Sequence, residues 1–143
     1  MEDSLREMVR ELKLEDQIAF RGFQANPIPA FMRSHLFCLP SLFEGMPNSL
    51  LEAMACGVPV LSTDCPSGPR EVTQQGRFGR LVPPADATAL RKAIGQAINN
   101  YDEWAHLTIE ARQHIEQHFS PAAGLGRLDR IIESVLAGNK LTA

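Results

Sequence analysis

Two carboxylates, Glu44 and Glu52, stand seven residues apart in Phe43-Glu-Gly-Met-Pro-Asn-Ser-Leu-Leu-Glu52. Between them the backbone offers N–H groups at Gly45, Met46, Asn48, Ser49 and Leu50, with Pro47 as the interruption. Gly45 lets the main chain come close to a bound group. A helix beginning near Ser49 adds unpaired donors and the positive end of its dipole, which together make an anion site that suits a diphosphate. Carboxylates repel phosphate but accept strong hydrogen bonds from hydroxyls. A ligand that satisfies the whole segment therefore has a diphosphate between two polyhydroxylated rings, as a nucleotide sugar does. A plainer reading also fits the same residues. Ser49-x-x-Glu52 matches a capping box, with Glu52 bonding back to the Ser49 backbone, and Glu44 on a loop is by default a solvated carboxylate.

Such a site needs a strand before it and a helix after it. Leu36-Phe-Cys-Leu39 is a continuous apolar run stopped by Pro40, the pattern of a strand buried on both faces. Ser49 to Cys56 is helical in composition, and Gly57 stands at its C-cap. The spacing further predicts a capped helix from Ser4 with Glu7, and a strand over Ile18–Phe23. It predicts a short helix over Pro27–Ser34 and a strand over Val58–Leu61. A short helix over Glu71–Gln75 and a strand over Gly79–Val82 follow. Asp86 then caps a helix that buries Leu90, Ile94, Ala97 and Ile98, and a second helix runs over Tyr101–Phe119. A third places Leu125, Leu128, Ile131, Ile132, Val135 and Leu136 at helical intervals. Alternating strands and helices predict a doubly wound, Rossmann-like parallel sheet of the α/β class with C-terminal helices. In such sheets the ligand lies at the carboxyl ends of the strands, where Glu44 falls.

The segment E-G-M-P-N-S-L-L-E-A-M-A-C-G-V-P-V closely resembles the signature of family 4 (group 1) glycosyltransferases, retaining enzymes of the two-domain GT-B fold. The likeness extends to Leu36-Phe-Cys-Leu-Pro-Ser41 before it and to Gly79-Arg-Leu-Val-Pro-Pro84 with Asp86 after it. It implies that Glu44 acts on the donor-sugar hydroxyls as the catalytic-site carboxylate. It also implies that Gly45, Met46, Pro47, Asn48, Ser49 and Leu50 hold sugar and diphosphate through their backbone. Glu52 would bind the ribose hydroxyls, and Gly22 and Phe23 would lie near the nucleobase. Asp64-Cys-Pro-Ser-Gly-Pro-Arg-Glu71 is similar to a subgroup that builds capsular, O-antigen and other bacterial surface glycans. Without the resemblance, Pro66, Gly68 and Pro69 simply make turns, while Arg70 and Glu71 pair with each other or face solvent.

The implied activity is transfer of a sugar, with retention, from a nucleotide-diphosphate donor, best matched by a UDP sugar, to a glycan or lipid-linked acceptor. No metal and no cofactor are implied. Location would be cytoplasmic, or peripheral at the inner membrane in a full-length enzyme. Compared with the family pattern, residues 1–143 form one partial nucleotide-sugar-binding domain. The N-terminal acceptor domain, the opening strands, and the Arg and Lys that meet the diphosphate have no counterpart. The expectation is an incomplete sheet whose central strands are missing, and a chain that is catalytically silent alone. The alternative function is a non-catalytic fragment, a nucleotide-sugar-binding or assembly module.

Composition excludes other classes. With 143 residues, 44% hydrophobic, 22% charged and a net charge of −3, the chain reads as one globular domain without a nucleic-acid footprint. No apolar run approaches the roughly 20 residues of a membrane span. Cys38, Cys56 and Cys65 are dispersed and fit reduced thiols, the first two in core packing. His35, His106, His114 and His118 suggest no catalytic role, and the i, i+4 pair His114/His118 lacks the H-E-x-x-H pattern. Trp104 and Phe119 read as packing residues. The absence of G-x-G-x-x-G argues against a dinucleotide oxidoreductase.

Overall fold

A computed structural model describes residues 2–137. In chain order the elements are α1 (Glu2–Glu11), α2 (Ile28–Phe31), β1 (Phe37–Leu39), α3 (Asn48–Ala55) and β2 (Val60–Thr63). They continue with α4 (Pro69–Val72), β3 (Arg80–Val82), α5 (Ala87–Asn99), α6 (Tyr101–Phe119) and α7 (Pro121–Leu136). The three strands form one parallel sheet in the order β1-β2-β3, with Phe37 opposite Val60 and Leu61 opposite Arg80.

β2 is the centre, and all four of its residues are buried. Successive side chains point to opposite faces of a strand, so Val60 and Leu61 enter different cores. Val60 joins Phe31, Leu50, Ala53, Met54, Val72, Phe78, Ala111 and Ile115. Leu61 joins Val82, Ala93, Ala97 and Trp104. Helices α3 and α6 thus cover one face while α5 covers the other, the doubly wound arrangement that the alternation of elements predicts. Helix α5 opens with the Asp86 carboxylate accepting from the Ala89 N–H at 2.9 Å, and a single residue, Asn100, separates α5 from α6.

Several expectations need correction. Ile18–Phe23 is not a strand. A strand is held by a neighbour's backbone, and among the described residues none lies beside this segment. Ile18 and Phe23 are exposed instead. β2 begins two residues later than Val58, because Pro59 has no N–H for the ladder and contributes only its carbonyl, which accepts from the Phe37 N–H at 2.9 Å. Ser4 lies inside α1, so it does not cap that helix. Helix α4 starts at Pro69, whose fixed φ suits a first turn, and not at Glu71. Ile98 faces solvent, since Ala93 and Ala97 fill the narrow contact with the sheet. The apolar positions of α7, from Leu125 to Leu136, are also exposed. No helix among the described residues is long and apolar enough to cross a membrane.

Candidate functional site

The loop from Pro40 to Pro47 leaves the carboxyl end of β1, and the turn from Asp64 to Gly68 leaves the carboxyl end of β2. Parallel pairing brings both to the same edge of the sheet. Glu44 is half-buried there, and its Oε1 accepts from the Ser41 hydroxyl at 2.6 Å. The Ser41 carbonyl accepts in turn from the Thr63 hydroxyl, and the Glu44 carbonyl from the Ser67 hydroxyl. The carboxylate is therefore oriented, with lone pairs left for other donors.

Helix α3 starts with Pro47 in the N-cap place, and no side chain caps it. The Pro47 carbonyl accepts from Leu50 N–H at 3.0 Å and from Leu51 N–H at 3.2 Å. Among the described residues no protein acceptor meets the N–H groups of Gly45, Met46, Asn48 or Ser49. Proline carries no side-chain acceptor, so the first-turn donors that Ser or Asp would satisfy stay available at the dipole's positive end. Leu50 differs from the expectation. Its N–H is committed to Pro47 and its side chain is wholly buried, so it anchors the helix instead of contributing an amide to the loop.

The capping-box reading of Glu52 is overturned by the same geometry. Ser49 is the second residue of α3, not its cap, and Glu52 makes no side-chain hydrogen bond or ion pair among the described residues. Glu52 shares the outer face of α3 with Asn48, one turn earlier, while Leu50, Ala53 and Met54 face the core. The helix ends in a Schellman motif: Gly57 N–H donates to the Met54 carbonyl and Val58 N–H to the Ala53 carbonyl. Gly57 has φ +74°, which only glycine adopts readily.

Arg70 forms a two-pronged pair with Asp64 and not with Glu71. The hydrogen bonds from Arg70 hold the Asp64 carboxyl below its ordinary range. Gly22 sits at φ +61° and Phe23 is 93% exposed; no hydrogen bond or ring contact among the described residues ties either to the Phe43–Glu52 segment. Ser41, Thr63, Ser67 and Gly68 were missed as site-building residues. Ser41-x-x-Glu44 is a local pairing distance that could have flagged the first.

A second group of polar residues lies elsewhere. A hollow of about 440 Å³ is lined by Gln74, Arg77, Phe78, Glu110, His114 and His118, before β3 and so toward the amino ends of the strands. His114 Nε2 is buried there without a partner, and its ring lies 4.8 Å from those of Phe78 and His118. Burial, then His118 and Arg77, lower the His114 pKa from 6.5, outweighing the Val72 backbone bond. A histidine that resists protonation when folded binds more protons when unfolded, so it favours folding above its unfolded pKa and loses that contribution as pH falls. Thermal melts are expected to show stability falling as pH drops below about 6.5, and His114→Gln to flatten that slope. An unchanged slope in the variant would clear His114 of the effect.

The chain is similar to known proteins in sequence and in fold. The family model described as "Glycosyl transferases group 1" matches residues 1–100. The colanic acid biosynthesis glycosyltransferase WcaL of Salmonella typhimurium, itself named as putative, is 32% identical over 94% of this chain and 35% of its own length. The lipopolysaccharide 1,6-galactosyltransferase of Escherichia coli is 32% identical over 92% of this chain and 37% of its own. The chain spans 18%, 22% and 35% of three such relatives. Among solved structures, Anabaena HepE in complex with UDP superposes with a TM-score of 0.85 at 24% identity, covering 92% of this chain and 36% of that one. Sucrose-phosphate synthase from Thermosynechococcus elongatus gives 0.79 at 26% identity, over 94% and 34%.

Proposed function

The chain belongs to the group 1 glycosyl transferases, and from that premise we propose that it binds the nucleotide-sugar donor, a UDP sugar, for retaining transfer to a glycan or lipid-linked acceptor in bacterial surface polysaccharide synthesis. The observation that carries the donor assignment is the uncapped start of α3, whose Asn48 and Ser49 amides stand between two carboxylates. In this reading the free amides of Gly45 and Met46 hold the sugar, and those of Asn48 and Ser49 at the helix start hold the diphosphate. Glu44, fixed by Ser41, accepts from the sugar hydroxyls, and Glu52 from the ribose hydroxyls. Gly22 and Phe23 flank the base.

The reaction breaks the bond between the anomeric carbon and the diphosphate oxygen and forms one from that carbon to an acceptor hydroxyl oxygen, whose proton leaves with the diphosphate; on the way positive charge builds on the sugar and negative charge on the leaving group. Amides already aimed at the leaving oxygens stabilise that charge without reorganising. The half-buried Glu44 carboxylate, next to the sugar, opposes the positive charge. Helix α3 supplies the positive pole, so no metal and no cofactor is invoked. The relatives named for colanic acid and lipopolysaccharide synthesis support a surface-glycan acceptor, placed in contact by parts of the enzyme outside these elements. Cytoplasmic placement, peripheral at the inner membrane, belongs to the same proposal. Catalytic silence of this chain alone belongs to the same proposal.

Isothermal titration with UDP and UDP-glucose tests the reading. Charge-assisted hydrogen bonds contribute about 1.5–3 kcal/mol, so Glu52→Ala is expected to weaken UDP roughly ten- to hundredfold. A wild-type chain with no affinity for UDP or UDP sugars, or a Glu52→Ala variant that binds as well, would overturn it.

A further inference from the structure

The turn that leaves β2 leans on the loop that leaves β1. Ser67 donates its hydroxyl to the Glu44 carbonyl, and Thr63 donates to the Ser41 carbonyl. Gly68 is buried at φ +84°, and a Cβ there would stand 2.4 Å from the Gly45 carbonyl oxygen and 2.6 Å from Pro47 Cδ. No real side chain fits that space, so the two backbones touch only because position 68 is glycine.

Glu52 is held by different means. It rides on α3, which is fixed by buried Leu50, Ala53 and Met54, and no contact from the 64–68 turn is needed to place it. We propose that Ser67 and Gly68 are positioning residues for the sugar end of the donor site: they set Glu44 and the Gly45–Met46 amides, leaving the ribose end to α3. The proposal rests on the donor reading above. It gives the Ser-Gly-Pro stretch a role in selecting the transferred sugar. Alternate turns at 64–68 would tilt Glu44 against different hydroxyls while nucleotide recognition stayed constant.

The test combines amide NMR spectra of the labelled chain with titrations against UDP and against the tightest-binding of UDP-glucose, UDP-galactose and UDP-N-acetylglucosamine. Ser67→Ala is expected to move the amide signals of residues 44–46 and to weaken the UDP sugar about three- to tenfold, the range of one lost hydrogen bond. Affinity for UDP itself stays the same, and Ser67→Thr restores the sugar affinity. Gly68→Ala acts in the same direction and more strongly. Equal weakening of UDP and UDP sugar, or unmoved 44–46 signals in Ser67→Ala, overturns the proposal. A wild-type chain that binds neither ligand sinks the donor reading instead, and the 44–46 signals alone then decide whether Ser67 and Gly68 set the loop.

Discussion

Leu50→Ala is expected to destabilise the chain by about 2–5 kcal/mol, the range for removing a leucine side chain from a core that cannot collapse around the gap. Leu50 has no exposed surface and packs in the core formed by α2, α3, β2 and α6. Its neighbours come from rigid elements, so the cavity stays open. Small domains have roughly 5–15 kcal/mol in total, which makes this loss a large fraction. Urea unfolding would show it as a lower midpoint with an unchanged slope. Leu51, half-buried beside the same cluster, serves as the control and should cost clearly less. Equal costs at the two positions would show that the core does not centre on Leu50. The result bears on the site as well, because Leu50 fixes the helix that carries the uncapped amides and Glu52.

Gly79→Ala is expected to cost about 1–3 kcal/mol through overpacking. A Cβ at this buried position would lie 2.5 Å from Val60 Cγ2 and 3.1 Å from Thr73 Cγ2, inside the contact distance of carbon atoms. Val60 belongs to the central strand and has no free space into which to turn. The double variant Gly79→Ala with Val60→Ala removes the clash, and its cost should fall short of the sum of the singles by at least about 0.5 kcal/mol. Strict additivity in chemical denaturation would mean that the strand yields and the contact is not a constraint.

The sequence exposed those elements whose signals are local and redundant. Asp86 capped its helix, Pro121 bounded α6, and Gly57 closed α3, because each act requires one residue type at one backbone geometry. The Phe43–Glu52 segment was legible for the same reason: a strand end, a glycine loop and a helix start fall in order. Ile18–Phe23 misled because β propensity describes a residue's fit to a sheet and does not supply the neighbouring strand. β2 begins two residues later than its apolar run because Pro59 has no N–H and pairs only through its carbonyl. Ser67 and Gly68 could not be read as parts of the Glu44 site, since they act across more than twenty residues of chain and only folding brings them together. Leu50's N–H was likewise counted as free because the turn that consumes it begins at Pro47, two residues before the expected start.

The single-residue junction at Asn100 has a mechanical consequence. Helix α5 rests on β2 and β3, α6 rests on α3, and α3 returns to β1 and β2. With no slack between α5 and α6, these contacts close into a ring, and a tilt of any one member must be shared by all. Helix α3 therefore behaves as a fixed jaw. The loop between β1 and α3 lies outside that ring and is held instead by hydrogen bonds from Thr63 and Ser67.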